Sequence, residues 1–325
     1  MALHIRPLEP GRDYPLAAEM VKSDPLEARR SAKELEALDD KLPKGCALRS
    51  WIVEEAGEPV GLLSVMRAVW EVREGGILMR VHLTPAASLS ALRSCYSFLM
   101  REAKTMHGSF VVLWTRDDLA RRVQFLLDSG FAQVKRHAVT RLKVADFFPA
   151  PYQPRITMLE KKGVRLLTGR EIEEGGHSLK VLMDSALEQV MREEYGFQGQ
   201  SRPPYEKIVR RASESQASLL DTSFFAVHEG QIIGFTRLVP SDAEEGLWRT
   251  GLTGVVPSWR RRKVGTCVKV ASLMAAQEAG VKHVQTDNAE DTPTLHLNYL
   301  LGFKRVATLL EFERVMPRVL KDLPE

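Results

Sequence analysis

A mixed α/β fold, a mostly antiparallel sheet flanked by helices and present in two tandem copies, is predicted by three observations. Short apolar runs with strand character alternate with stretches of helical spacing along the chain. A break rich in proline, Pro149-Ala150-Pro151-Tyr152-Gln153-Pro154, lies near the middle and suits neither a helix interior nor a central strand. Three landmarks also recur at nearly one offset. Gly61 and Gly234 lie 173 positions apart, Pro85 and Pro257 lie 172 apart, and Gly130-Phe131 and Gly302-Phe303 lie 172 apart. Chance turn chemistry in unrelated domains scatters such pairings, so duplication is the better account. The expected division is a first copy over 1–146, a linker over 147–158 and a second copy over 159–325.

The elements follow in the same order in each copy. Residues 51–63 and 224–235 both read as strand, tight turn, strand. Val81-His82-Leu83-Thr84 is an apolar run closed by Pro85, as residues 252–256 are closed by Pro257. In the second copy Val164-Arg165-Leu166-Leu167 is a first strand, with helices expected near 179–189 and, after Pro203-Pro204, near 205–213. A meander over 224–227, 232–239 and 247–256 comes next. Residues 264–279 carry apolar side chains at helical spacing, and Gly280 stops them. Then come a strand at 283–286, a helix at 295–301 ended by Gly302, and a last strand at 308–315.

Composition narrows the function classes. A chain of 325 residues has two-domain length, and 44% hydrophobic residues exclude wholesale disorder. With 46 Lys+Arg against 42 Asp+Glu the net charge is +4, too small for a general polyanion binder. Any basic function must therefore come from a local cluster. Cys46, Cys95 and Cys267 are odd in number and form no Cys-x-x-Cys pair, so neither a disulfide framework nor a metal site is supported. The start, Met1-Ala2-Leu3-His4-Ile5-Arg6, lacks a signal-peptide core, and no run of 18 apolar residues occurs. The expectation is a soluble, reduced, cytoplasmic protein with no membrane partner.

The stretch that carries chemistry is Thr253-Gly254-Val255-Val256-Pro257-Ser258-Trp259-Arg260-Arg261-Arg262-Lys263-Val264-Gly265-Thr266. A strand runs into four consecutive cations and then into a helix that starts near Lys263. A cation at a helix N-terminus costs about 0.3–1 kcal/mol, so four together suit a fold that holds an anion there. Backbone N–H groups at the helix start form a phosphate cradle, and Gly265 permits close approach. A pocket for a di- or polyphosphate group follows. A solvated basic loop and a nucleic-acid patch are the rival readings.

Pro257-x-Trp259-Arg260-x-Arg262-x-Val264-Gly265 resembles the acyl-coenzyme A loop of the GNAT superfamily of N-acetyltransferases, a pattern of Arg/Gln-x-x-Gly-x-Gly/Ala after a strand ending Val-x-Pro. Thr286-Asp287-Asn288 and Leu297-Asn298-Tyr299-Leu300-Leu301-Gly302-Phe303 resemble its later strand, helix and Gly-Phe signature. Lys263 stands where the first glycine is usual, and Arg261 where another glycine is common, which implies an altered loop geometry. The first copy has Ala86-Ala87-Ser88-Leu89-Ser90-Ala91 after Pro85, with neither cations nor glycine, and so looks degenerate. The tandem arrangement resembles mycothiol synthase-like proteins.

The resemblance implies two GNAT-like domains and direct acyl transfer from acetyl-CoA to an amine of a small molecule or peptide. It implies that Arg260, Arg261, Arg262, Lys263, Val264, Gly265 and Thr266 hold the pyrophosphate. Val255 and Val256 would pair with the pantetheine arm, the Val256 N–H would polarise the thioester carbonyl, and Asn288 would bind the pantetheine amides. The general acid slot falls on Asn298, which leaves Tyr299, rotated about 100° around the helix, as the candidate acid. Glu193 or Glu194, before Tyr195-Gly196-Phe197, is the candidate base. His228 and His296 read as structural or surface residues, while Trp248 and Trp259 could line the site. The alternative is a non-catalytic module that senses acyl-CoA or binds nucleic acid.

Overall fold

A computed structural model describes residues 3–22, 32–40, 42, 46–67, 75–84, 87–194, 220–241 and 244–316. They fall into two compact units, one of Met1–Arg136, Asp242–Glu244 and Thr308–Glu325, the other of His137–Ser241 and Glu245–Ala307.

The first unit opens with β1 (Leu3–Pro7), α1 (Tyr14–Lys22) and α2 (Ala32–Asp40). A meander of β2 (Arg49–Glu55), β3 (Glu58–Arg67) and β4 (Gly76–Leu83) follows, then α3 (Leu89–Thr105), β5 (Phe110–Arg116) and α4 (Ala120–Asp128). Neighbouring strands run antiparallel except β4 and β5, which are parallel over Gly76–Leu78 and Phe110–Val112. Residues 60–66 of β3 are all buried, which explains their nearly unbroken apolar run. The core gathers Val53, Leu63, Val65, Ile77 and Met79 against Cys95, Leu99 and Leu126 of the helices.

The chain then runs through β6 (Ala132–Lys143), α5 (Gln153–Glu160), β7 (Arg165–Thr168), α6 (Gly169–Glu174) and α7 (Leu179–Glu194). It continues with β8 (Ser223–His228), β9 (Gln231–Pro240), β10 (Leu247–Val255), α8 (Val264–Glu278), β11 (His283–Ala289), α9 (Pro293–Leu300) and β12 (Lys304–Val315). The second unit repeats the order of the first, with β10 and β11 as its parallel pair. Its core packs Phe225, Phe235, Leu238 and Val284 against Val264, Val268 and Leu273 of α8.

The closing strands are exchanged between the two halves of the chain. From His137 on, β6 follows α4 in sequence but pairs with β11 of the second unit, Lys143 opposite His283. From Leu309 on, β12 follows α9 but pairs with β5 of the first unit, Leu309 opposite Arg116. The expected last strand at 308–315 thus exists but closes the other copy. The expected cut at 1–146 and 159–325 also moves, because residues 137–146 pack with the second unit and residues from 308 on with the first.

The proline-rich break is not a free linker. Phe147, Ile156 and Leu159 are buried in the second unit, and Gln277 donates to the Val144 and Phe147 carbonyls at 3.0 and 2.9 Å. Pro154 sits in the first turn of α5, where an N–H has no helical partner to lose.

Local signals explain the repeated landmarks. Gly130 and Gly302 take φ of +76° and +92°, and the next residues, Phe131 and Phe303, donate their N–H to the Leu126 and Asn298 carbonyls at 3.0 Å. That is a glycine-capped helix end followed by a buried phenylalanine, in both copies. The hairpins after β2 and β8 turn through Ala56-Gly57 and Glu229-Gly230, both residues of each pair at positive φ. Cys95 in α3 and Cys267 in α8, also 172 apart, are buried, and burial pushes their thiols up to about 12 and about 11. They are packing residues. The helix expected at 205–213 and the strand-closing Pro85 lie outside the described residues.

Candidate active site

β10 and β11 begin side by side and then part. They pair from Leu247 and His283 to Arg249 and Gln285, after which β11 continues with β6 alone and β10 with β9 alone. β10 also carries a register shift between Thr250 and Thr253, whereas β4 pairs β3 without one. The Val256 N–H donates to the Ile233 carbonyl at 3.0 Å. Antiparallel alternation therefore turns the Val255 N–H and carbonyl away from β9, toward the side on which β11 diverges. The expected role of Val256 is corrected on that ground: its amide is spent inside the sheet, and the amide directed outward belongs to Val255.

The basic loop departs from Val256 through a short turn, Pro257–Trp259. Arg260 donates Nε to the Val255 carbonyl at 3.1 Å, which ties the loop back to the strand end. Arg261 has φ of +59° and Lys263, the N-cap of α8, has φ of +69°. These are the two positions where the sequence pattern expects glycine. The loop geometry is therefore kept rather than altered, with two L-residues held in the left-handed region. Arg262 and Val264 do not have positive φ, so the sign of φ alternates from Arg261 to Val264. Such alternation curls successive N–H groups into an anion-binding concavity.

Side chains brace it. The Arg262 guanidinium lies 5.1 Å from the Trp259 ring centroid, and Trp259 packs on His228 with ring centroids 4.7 Å apart. Gly265 leaves room: a Cβ there meets Val255 Cγ2 at 3.3 Å. Arg260, Arg261, Arg262 and Lys263 are exposed, while Val264 and Thr266 are buried. Left-handed φ costs an L-residue about 1–2 kcal/mol, offset in part by the backbone freedom glycine brings to the unfolded chain. Lys263→Gly is expected to stabilise the protein by about 1 kcal/mol, a rise of about 2–4 °C in Tm, read by thermal melting.

The first unit answers the same position differently. Ser88 caps α3 through its Oγ, which accepts from the Ala91 N–H at 3.0 Å. The Ser88 hydroxyl and N–H in turn donate to the Glu55 carboxylate at 2.6 and 3.2 Å. These bonds hold the Glu55 carboxyl below the usual carboxylate range. An internal anion thus occupies the α3 N-terminus. The position of Glu55 in the second copy, 173 residues on, is His228.

The catalytic candidates fare less well. Tyr299 is exposed, and its hydroxyl accepts from Arg305 Nε at 3.2 Å; Arg305 in turn pairs with Glu290 at 2.8 Å. This is a surface network, on a different side of α9 from the buried Asn298, so the expected acid is withdrawn. Asn298 is fully buried and donates Nδ2 to Asn288 Oδ1 at 2.7 Å. Glu193 and Glu194 lie in the last turn of α7, and their side chains lie outside the described residues, as does Tyr195-Gly196-Phe197. His296 is exposed, and Trp248 and Trp259 are half-buried against the core.

Sequence reasoning missed Lys269. It lies in α8, 3% exposed, with Nζ 5.8 Å from the Phe303 ring centroid, and burial pushes its amine down to about 8. Its signal was available: a lysine inside the apolar run Cys267-Val268-Lys269-Val270. Among the described residues no group of three or more His, Cys, Asp or Glu could hold a metal, and no helix is long and apolar enough to cross a membrane.

A parallel pair that splays after three residues, a cationic loop at the next helix start and glycine-capped helices define the α/β architecture of the second half. The fold of the chain is shared by solved structures. The chain is similar to a tandem GNAT protein from the clavulanic acid biosynthesis pathway, with TM-score 0.72 at 16% identity over 98% of this chain and 100% of that one. A GCN5-related N-acetyltransferase from Sphaerobacter thermophilus gives 0.70 at 15% over 96% and 95%. A GNAT-family acetyltransferase from Colwellia psychrerythraea gives 0.58 at 10% over 95% and 99%. No protein-family profile and no curated protein sequence matches the chain. The chain has the tandem GNAT fold.

Proposed function

We propose that the second unit is an N-acyltransferase that moves the acetyl group of acetyl-CoA to a primary amine of a small molecule or peptide, by direct attack within a ternary complex. The observation that carries this reading is the loop from Arg260 to Val264, where four cations and alternating φ converge on the start of α8. Lys263 and Arg262 supply charge to the pyrophosphate, the α8 N–H groups supply hydrogen bonds, and Arg260 fixes the loop to β10. The Val255 N–H faces the gap where β11 leaves β10, so it is the amide suited to the donor's arm and the thioester oxygen. Asn288, on the diverging stretch of β11, is suited to the pantetheine amides.

In the reaction the amine nitrogen bonds to the thioester carbonyl carbon, the carbon–sulfur bond breaks, and the thiolate takes a proton. The nucleophile is the neutral amine; the Tyr299 hydroxyl is engaged at the surface, so the thiolate's proton comes from solvent or from the nitrogen that becomes cationic once the amine has added. The same observation favours a second reading, a module that binds acyl-CoA without turning it over.

Titration calorimetry with acetyl-CoA tests the first step. Wild type is expected to bind, and replacing Arg260 and Arg262 together by alanine is expected to weaken binding about 30- to 100-fold, the loss of two charge-assisted contacts. Unchanged affinity in that variant removes the loop assignment. Free-thiol release in an amine screen separates the enzyme from the binding module: release supports transfer, and binding without release to any amine supports the second reading.

A further inference from the structure

We propose that Asn298 is a positioning residue that fixes the Asn288 carboxamide with its NH₂ group as the presented donor, toward a carbonyl of the acyl donor's arm. The inference rests on the reading of the second unit as an acyl-CoA site. Asn298 has no exposed surface, and its Nδ2 donates to Asn288 Oδ1 at 2.7 Å. Among the described residues Asn298 Oδ1 is buried without a hydrogen-bond partner. The two side chains therefore share a single bond rather than the two of a closed amide pair. Rotating both amides by half a turn would keep that bond but leave a buried N–H orphaned in place of a carbonyl oxygen, and orphaned N–H groups are the rarer of the two. The orientation in the structure is thus the favoured one; it turns Asn288 Oδ1 toward Asn298 and the Asn288 NH₂ group away from it.

The group that Asn288 presents away from Asn298 is its NH₂ donor. The residue is half-buried on the stretch of β11 that has left β10, so it borders the same gap as the Val255 amide. Two donors beside one gap fit a ligand rich in carbonyl oxygens, such as a chain of amides ending in a thioester. Packing alone does not account for Asn298. A leucine of similar volume among Leu295, Leu297 and Leu301 would leave no buried oxygen unpaired.

A double-mutant cycle tests the role, with calorimetry on the full chain. The probes are acetyl-CoA and phosphoadenosine diphosphate, the coenzyme A fragment without the pantetheine arm. Asn288→Ala and Asn298→Leu are each expected to weaken acetyl-CoA about tenfold, the worth of one hydrogen bond of ~1.4 kcal/mol. The double variant is expected to lose about tenfold as well, since Asn298 acts through Asn288. Affinity for the fragment stays at the wild-type value throughout. Additive losses near a hundredfold overturn the proposal, and so does an equal loss for both ligands, which marks a merely structural role. Should Asn298→Leu fail to fold, the same cycle run with Asn298→Ser decides by the same outcomes. Wild type that binds neither ligand defeats the acyl-CoA reading itself, and wild-type binding with additive losses defeats only the role of Asn298.

Discussion

Cutting the chain after Asp146 is expected to give two fragments of which neither folds alone, and which fold when mixed. Each fragment carries the other's closing strand. The N-terminal piece lacks β12, so β5 loses the partner whose Leu310 and Phe312 are 2% and 0% exposed in the first unit's core. At about 1.5–3 kcal/mol for each fully buried large side chain, plus a ladder of orphaned N–H and C=O groups, the loss rivals the whole stability of a domain. The C-terminal piece lacks β6 and leaves β11 open from His283 to Ala289. Circular dichroism melts and amide NMR spectra of each piece, then of the mixture, provide the check. A cooperative melt from the C-terminal fragment by itself contradicts the exchange.

The second large effect is a gain. Lys269→Met is expected to stabilise the protein by about 1–3 kcal/mol at pH 7. In the folded protein burial lowers this amine from the ordinary 10.5 to about 8, and the cause is desolvation, with no compensating carboxylate among the described residues. The cation–π contact with Phe303 returns about 2 kcal/mol at so desolvated a site, less than the roughly 3 kcal/mol that the lowered amine corresponds to, so desolvation still decides the sign. Below pH 8 the amine is charged in both states and the full penalty stands. Between pH 8 and 10.5 the unfolded chain binds more protons than the folded one, so wild-type stability rises with pH across that window. Methionine carries no proton, so the advantage of the variant is constant below pH 8 and fades toward 10.5. Urea unfolding of both proteins at pH 7, 9 and 10.5 reads the difference. An advantage that does not shrink at high pH argues against a buried charge.

How much of this was legible in the sequence depends on how local the cause is. The Gly-Phe pairs, the hairpin turns and the start of α8 are set by neighbouring residues, and periodicity and glycine placement found them. The loop was legible in order but not in shape. Substituting Arg261 and Lys263 for glycine suggested distortion, yet both residues keep the left-handed φ. A conformation costing about 1–2 kcal/mol persists where the ends of a loop are held. Strand exchange was not legible, because alternation in β6 and β12 names a buried face and never a partner. The Asn288–Asn298 bond and the Glu55–Ser88 plug are likewise meetings of distant residues. Tyr299 was legible after all, since a 100° rotation from a buried slot already points to solvent. Lys269 was visible as a charge within an apolar run and was read only as helix.

The exchanged strands also set a timetable for synthesis. β5 leaves the ribosome about 200 residues before the strand that completes its sheet. The first unit must therefore wait with an open edge while the second is made, and β6 meanwhile stands ready for β11. The first unit is thus completed only after the strands of the second have been made, and a ribosome that stops before residue 308 releases a nascent chain with β5 still bare.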